Sequence, residues 1–172
     1  MQIPFLLLPK ADIALVINVV FNFITSLAAI AGNLLIIFCI VRTPSLHSAT
    51  NFLFLGLALS DIGVGFLIQP MCITTLIKVY NGLPLDCTFT AIYSITSTFM
   101  VTVSVLTITA ISVDRYLAIH FNLRYQELVT ERKVIYFQIT LWMGSGIFTI
   151  TRMAGYRIFM VFAMAVDRKS VV

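Results

Sequence analysis

The sequence has 172 residues, of which 60% are hydrophobic and only 10% are charged. A soluble domain carries roughly 25% charged residues, and the mean hydropathy of +1.03 also excludes a soluble globular domain. The net charge is +4, and the basic residues are scattered between apolar runs. They therefore indicate membrane orientation and exclude a clustered nucleic-acid-binding surface. We predict an all-α transmembrane helix bundle with about four spanning helices.

Helix one is predicted from about residue 11 to residue 41, after a short N-terminal segment of residues 1–10. Asp12 is its expected N-cap. Gly32 and Asn33 lie in its second half. Because an asparagine is costly in lipid, Asn33 is expected to face other helices and to form a hydrogen bond there. The alternative is that these two small residues only make a packing contact.

Helix two is predicted from about residue 49 to residue 77, after a turn that contains Pro44. Asp61 falls near mid-membrane depth, where an unpaired carboxylate is expensive. Such an acid binds an ion, relays a proton or pairs with polar groups of other helices. The structural alternative is a protonated or hydrogen-bonded aspartate. Pro70 is expected to kink the far end of the helix.

Helix three is predicted from about residue 89 to residue 120, after a turn at residues 78–87. Its many serines and threonines suit a central helix with several neighbours. The helix ends in Asp114, Arg115 and Tyr116 after an almost uncharged run. A charge pair is costly at the middle of a bilayer, so these residues belong near water, where Asp114 and Arg115 are able to pair.

A polar loop at residues 122–133 precedes helix four, which is predicted from about residue 134 to residue 150 and contains Trp142. Residues 152–172 form an atypical tail. Its apolar run at residues 158–166 is too short for an independent span and is at most a partial one.

The distribution of lysine and arginine favours one orientation of the bundle. The two loops after helices one and three hold Arg42, Arg115, Arg124, Arg132 and Lys133, whereas the opposite side holds Lys10 and Lys78. The positive-inside rule then puts the N-terminus outside and the Asp114-Arg115 pair in the cytoplasm. Arg152 and Arg157 fall on the outer side and weaken this count.

An enzyme is not expected. His47 and His120 both lie at helix ends, and no nucleophile–base pair or pair of carboxylates shares a plausible site. The three cysteines, Cys39, Cys72 and Cys87, form neither a disulfide framework nor a metal-binding pattern.

Four motifs resemble, in order and spacing, those of helices one to four of rhodopsin-like (class A) G-protein-coupled receptors: Gly32-Asn33, the run from Leu57 to Asp61, Asp114-Arg115-Tyr116 and Trp142. The resemblance covers about residues 11–150. It implies a short extracellular segment at residues 1–10, a transmembrane bundle at residues 11–151 and a seven-helix receptor fold truncated before the tail at residues 152–172.

By this resemblance, Arg115 would contact a heterotrimeric G protein in the active state, and Asp114 would restrain it by an ion pair in the inactive state. Tyr116 completes the same motif. The resemblance also implies a multi-pass protein of the plasma membrane with an extracellular ligand. Membrane lipid and other receptor chains are further expected partners, and nucleic acid is not.

The resemblance implies two further roles inside the bundle. Asp61, with Asn33 and Ser104, would line a water-filled site for a sodium ion, the one metal or cofactor expected. Trp142 would pack between helices two, three and four, with its indole N–H seeking a partner.

Two residues depart from the family pattern. Cys87 resembles the cysteine at the outer end of helix three that forms a disulfide, but it lies 28 residues before Arg115, and no cysteine follows it. Cys72 is a possible substitute partner. Ser97 lies eighteen residues before Arg115, where amine receptors carry an aspartate, and this argues against a monoamine ligand.

The chain contains neither the CWxP nor the NPxxY motif of helices six and seven. Our hypothesis is a truncated receptor, lacking helices five to seven, that does not signal by itself. One alternative is a small four-helix transporter or channel subunit with Asp61 on an ion path. Another is a truncated isoform that pairs with full-length receptors and holds them back.

Overall fold

The computed structural model describes residues 8–46, 48–121, 125 and 129–170. These residues form four long helices: α1 (Leu8–Arg42), α2 (Ala49–Tyr80), α3 (Cys87–Phe121) and α4 (Glu131–Ser170). Each contains a segment long and apolar enough to cross a membrane, and no strand occurs in the described ranges. The prediction of an all-α bundle with about four spanning helices is confirmed.

Two helix boundaries differ from the prediction. α1 begins at Leu8, so Asp12 lies inside the helix and the expected N-cap is wrong. α4 continues to Ser170, far beyond the predicted end at residue 150. No proline interrupts this region, so the apolar tail continues the helix instead of starting a separate element.

α2 is interrupted by a π-helical turn at Val64–Ile68. Pro70 has no backbone N–H and cannot donate to the carbonyl one turn earlier. The preceding turn is widened, with the Gln69 N–H donating to the Val64 carbonyl five residues back. The irregularity expected at Pro70 therefore occurs in the turn that precedes it.

α2, α3 and α4 pack against one another, while α1 packs along α2. The buried residues of α3 recur at intervals of three and four, which puts them on one face of the helix: Val103, Thr107, Ala110 and Asp114. Ala110 joins Ala49, Leu53 and Val134 in an apolar cluster between the three helices. This cluster lies next to Asp114, at the end of the bundle where α1 ends and α2 begins.

Small residues let α1 and α2 approach closely. The buried Ser26 hydroxyl donates to the Gly65 carbonyl at 2.7 Å. A Cβ atom at Gly65 would lie 3.0 Å from Ile30 and 3.1 Å from the Ser26 backbone oxygen. Close approach through small residues is the usual way in which membrane helices associate.

Candidate functional site

The bundle has two ends, which differ in their residues. The Asp114 end contains Arg42, Ala49 and Asp114, and the Cys87 end contains Tyr80 and Cys87. Consecutive helices run antiparallel, so the chain crosses from one end of the bundle to the other in each helix.

Asp114 is the buried acid of the Asp114 end, with a relative exposure of 5%. Its Oδ2 accepts a hydrogen bond from the Thr50 hydroxyl at 2.6 Å, and its Oδ1 accepts one from the Tyr125 hydroxyl at 2.5 Å. The Thr50 and Tyr125 oxygens are 3.4 Å apart. One carboxylate therefore connects the start of α2, the end of α3 and the segment that follows α3.

Arg115 does not pair with Asp114. Neighbouring side chains on an α-helix point about 100° apart, so Asp114 faces the bundle while Arg115 is exposed. The guanidinium lies 5.9 Å from the centre of the Phe54 ring. Among the residues that the structure describes, Lys78 pairs with Asp86, and Arg115 forms no ion pair. The predicted ion pair of Asp114 with Arg115 is not formed in this structure: Asp114 turns to the hydroxyl donors in the bundle, and the guanidinium lies over Phe54.

Tyr116 and Tyr125 differ in environment. The Tyr116 ring is exposed and stacks on His120, with ring centroids 5.8 Å apart. Burial, followed by the hydrogen bond to Asp114, raises the pKa of Tyr125 above its ordinary value of 10.0. The phenol is therefore protonated at neutral pH and remains a hydrogen-bond donor.

Sequence reasoning missed Thr50 and Tyr125. Thr50 lies 64 residues before Asp114 and Tyr125 lies 11 residues after it, so no local spacing connects the three. Asp114 was predicted to lie near water, so no other donors were expected for it; a carboxylate that is buried needs them. The nearby candidates were Thr50 in the first turn of α2 and the tyrosine of the polar loop that follows helix three.

The polar centre is the site predicted from Asn33, Asp61 and Ser104, and the structure brings only part of it together. The Ser104 hydroxyl lies 3.0 Å from that of Ser60 and close to the half-buried Asp61 carboxyl. Asn33 instead donates to the Ala29 carbonyl of its own helix at 2.8 Å. The interhelical hydrogen bond expected of Asn33 is not formed among the described residues; its amide nitrogen bonds within α1 instead. A Cβ at Gly32 would contact nothing within 4 Å, so no tight packing occurs there.

Metal-ligand chemistry at this centre is limited to oxygen atoms. In the described part of the chain, no three His, Cys, Asp or Glu side chains lie close enough together to hold one metal ion. Asp61 and the hydroxyls of Ser60 and Ser104 are hard oxygen donors, which suit an alkali cation better than a transition metal.

Trp142 packs on α3, where its ring meets the edge of Phe99 at a centroid distance of 6.1 Å. Its buried indole N–H has no hydrogen-bond partner among the described residues. One turn earlier on α4, the Gln138 amide donates to the Thr107 hydroxyl at 3.3 Å. The same side chain fills the notch that Gly56 leaves on α2, because a Cβ atom at position 56 would lie 2.3 Å from Gln138 Nε2. This junction of three helices was not predicted, although a glutamine in an apolar helix was a signal for it.

All three cysteines are free thiols. The disulfide considered for Cys87, with Cys72 as its partner, is therefore absent. Cys72 lies eight residues before the end of α2, about 12 Å along the helix, and beside Tyr93. Cys87 is the exposed first residue of α3, so the two sulfur atoms lie at different depths.

Ser97 is half-buried on α3, and its hydroxyl donates to the Ser94 carbonyl at 3.2 Å. It lines a groove of about 410 Å³ between α3 and α4, which opens in the half of the bundle nearer the Cys87 end.

A sequence profile described as 7 transmembrane receptor (rhodopsin family) matches residues 32–158. The chain is 33% identical over 141 residues to the adenosine receptor A2b of Gallus gallus, covering 80% of this chain and 39% of that receptor. It is 32% identical over 134 residues to the adenosine receptor A3 of Canis lupus familiaris, covering 76% and 40%.

A third relative is the alpha-1D adrenergic receptor of Mus musculus, 29% identical over 131 residues, covering 76% of this chain and 23% of that receptor. The chain thus spans at most about two fifths of the length of these three relatives. The profile match includes the polar centre, the Asp114 end and Trp142.

Proposed function

Since the chain belongs to the rhodopsin family of seven-transmembrane receptors, we propose that it supplies the first four helices of a G-protein-coupled receptor and acts within the longer receptor. The receptor responds to an extracellular ligand and activates a heterotrimeric G protein on the cytoplasmic side of the plasma membrane. This family assignment favours a receptor over an enzyme and over a four-helix transporter or channel subunit.

Arg115 is the residue to which we assign G-protein contact. It is exposed at the Asp114 end and makes no ion pair within the described residues. Its contact with Phe54 is worth only about 0.5–1 kcal/mol at an exposed site, so a protein partner can replace it at little cost. The observation that supports this role most strongly is that Thr50 and Tyr125 occupy both oxygens of Asp114, which leaves the guanidinium available.

The test uses a chimera in which residues 32–158 replace the aligned segment of the Gallus gallus adenosine receptor A2b. Nucleotide exchange on a heterotrimeric G protein is measured both without agonist and with adenosine. Arg115→Ala is expected to reduce exchange at least about tenfold, a loss of about 1.4 kcal/mol of coupling. The matched control is Arg42→Ala, since Arg42 is also exposed at this end and also lies over a phenylalanine ring, that of Phe38 at 5.4 Å.

Equal exchange by the Arg115→Ala and Arg42→Ala chimeras, at equal surface expression, would contradict the coupling role. The chain without further helices is expected to give no agonist-dependent exchange. Exchange by the chain alone would overturn the proposal that it works only within a longer receptor.

The ligand is extracellular under this proposal. Two of the relatives above are named as adenosine receptors and one as an adrenergic receptor. Ser97 offers a hydroxyl where a cationic amine would need a carboxylate, and this supports a ligand other than a monoamine.

A sodium ion is the proposed occupant of the polar centre. Asp61, Ser60 and Ser104 supply oxygen donors on two facing helices, and the Asn33 amide, bonded through its nitrogen to Ala29, keeps its oxygen as an acceptor. These residues fit a hard cation. The ion would neutralise the carboxylate and join the helices that hold it.

Sodium should therefore stabilise the chain through Asp61. In detergent micelles, replacing N-methylglucamine chloride by sodium chloride should raise the Tm, because a ligand that binds only the folded state stabilises it. Asp61→Asn should remove this increase. Asp86→Asn is the control, since Asp86 is exposed and paired with Lys78 near the Cys87 end. An undiminished sodium effect in Asp61→Asn would exclude this site.

A further inference from the structure

Arg152 is an exposed cation at the edge of a groove whose other lining side chains are apolar or carry hydroxyl groups. The groove of about 410 Å³ lies between α3 and α4 and is lined by Ser97, Thr98, Val101, Thr102, Phe148 and Arg152. A volume of this size is in the range of small-molecule sites. Val101 and Phe148 provide its apolar walls, with relative exposures of 58% and 54%.

The charge of Arg152 is not neutralised by the described part of the chain. Its Nη1 donates to the Thr98 hydroxyl at 3.1 Å, and no described carboxylate lies within ion-pair distance of it. Asp86 is paired with Lys78, and Asp114 is at the other end of the bundle. A guanidinium has five N–H donors, so most of them are available to an anion in the groove.

The Thr98 hydroxyl adds a second donor at the same place. Its oxygen accepts from Arg152, and the structure shows no acceptor for its own proton among the described residues. Thr102 and Ser97 are not equivalent, because their hydroxyls already donate to the carbonyls of Thr98 and Ser94. Arg152 and Thr98 can therefore donate together to one anionic group.

The depth of Arg152 fits a site that is reached from outside. It lies nineteen residues after Lys133 along α4, or about 28 Å of helix. The hydrocarbon core is about 30 Å thick. Arg152 is thus near the membrane boundary opposite the Asp114 end, where the proposed orientation exposes it to extracellular solutes.

We propose that this groove binds a small organic anion, whose carboxylate is held by the Arg152 guanidinium and the Thr98 hydroxyl and whose apolar part contacts Val101 and Phe148. The inference rests on the proposed function, because it assigns the extracellular ligand to a chemical class. A guanidinium binds a carboxylate through two parallel hydrogen bonds, which gives both affinity and orientation.

The test compares two probes of equal shape, 3-phenylpropionate and its neutral amide, by saturation-transfer NMR on the full chain in phosphatidylcholine nanodiscs. The wild type should bind the acid at least about tenfold more tightly than the amide. Arg152→Gln should remove this preference, and Arg152→Lys should keep part of it, since lysine provides charge without the planar fork. Thr98→Val should weaken acid binding alone.

The control is Arg42→Gln, which removes an exposed arginine at the Asp114 end and should leave the preference unchanged. The helix content measured by far-UV circular dichroism shows whether each variant is folded. Equal affinity for acid and amide, or wild-type acid binding by folded Arg152→Gln, overturns the proposal. Arg152-dependent binding of short-chain phosphatidylglycerol that is tighter than that of the acid also overturns it, because the occupant is then a lipid headgroup.

This readout needs no G protein, so its outcome is separable from that of the receptor test. Arg152-dependent acid binding, together with basal and stimulated exchange in the chimera that does not depend on Arg115, would remove the coupling role and keep the site. Exchange that depends on Arg115, without acid binding, would keep the receptor function and remove the anion site.

Discussion

The carboxylate of Asp114 receives one hydroxyl donor on each oxygen, from Thr50 at 2.6 Å and from Tyr125 at 2.5 Å. A hydrogen bond to a charged group contributes roughly 1.5–3 kcal/mol, so this arrangement competes effectively with an exposed ion pair, which is worth at most about 1 kcal/mol. The comparison explains why Asp114 turns into the bundle and Arg115 does not follow it.

Tyr125→Phe should lower the Tm at neutral pH by roughly 3–6 °C, the equivalent of about 1.5 kcal/mol for a chain of this size. The pKa of Tyr125 is raised above its ordinary 10.0. Its contribution is therefore complete below pH 10 and is lost as the pH rises through the raised value, when phenolate and carboxylate repel. Melting curves of both proteins between pH 7 and pH 11 measure this difference.

The control for that series is Tyr136→Phe, since Tyr136 is 71% exposed on α4. Its difference from the wild type should be small and should not follow that of Tyr125→Phe. A Tyr125→Phe deficit that persists unchanged at pH 11 would show that the hydroxyl does not stabilise the fold through Asp114.

At the scale of the helices, the sequence predicts what hydropathy controls. The four spans and their order follow from long apolar runs separated by proline, glycine and charged residues. The extent of α4 was not predictable in this way, because nothing in residues 152–172 requires the helix to stop or to continue. The π-helical turn of α2 was predicted only as a kink near Pro70, since spacing does not specify which turn widens.

The candidate site was predictable only in part, for a related reason. Asp61, Asp114 and Arg115 were identified because charged groups in an apolar helix are costly, and Ser104 was identified only through the family resemblance. Their partners were not, because Thr50 reaches Asp114 across 64 residues of sequence. The Gln138 junction depends on the missing side chain of Gly56, and an absent atom leaves no signal in hydropathy.

Gly56→Ala tests this junction between helices. The new Cβ would lie 2.3 Å from Gln138 Nε2 and 2.6 Å from its Cδ, so the amide must move and lose its hydrogen bond to Thr107. The expected cost is about 1–3 kcal/mol, measured by the Tm in micelles. Gly32→Ala is the control, because a Cβ there meets nothing within 4 Å.

Adding Gln138→Ala should remove most of the Gly56→Ala penalty, because the obstructing side chain is gone. The two changes should therefore be strongly non-additive, as expected of residues in direct contact. Additive losses, or a Gly56→Ala protein as stable as Gly32→Ala, would mean that Gln138 does not occupy the notch.

At the scale of the whole molecule, the apolar surface is the dominant feature. Large hydrophobic side chains remain exposed along α1, α3 and α4, including Phe21 at 65%, Val105 at 56% and Ile150 at 68%. An apolar surface of this extent is unfavourable in water, and lipid or further receptor helices would cover it. Apart from Ser26, which faces α2 from α1, the buried polar residues lie on the faces that α2, α3 and α4 turn to one another.

The orientation of this bundle is the most direct test, because the proposed contact of Arg115 with a G protein requires Arg115 to lie in the cytoplasm. The direct measurement is labelling with a membrane-impermeant maleimide in intact and permeabilised cells. One variant keeps only the free, exposed Cys87. The other replaces all three native cysteines with serine and carries Ile119→Cys, four residues after Arg115 and 83% exposed in the wild type.

We predict that Cys87 reacts in intact cells and that the cysteine at position 119 reacts only after permeabilisation. Labelling of position 119 in intact cells, with Cys87 protected until the membrane is opened, would contradict the account.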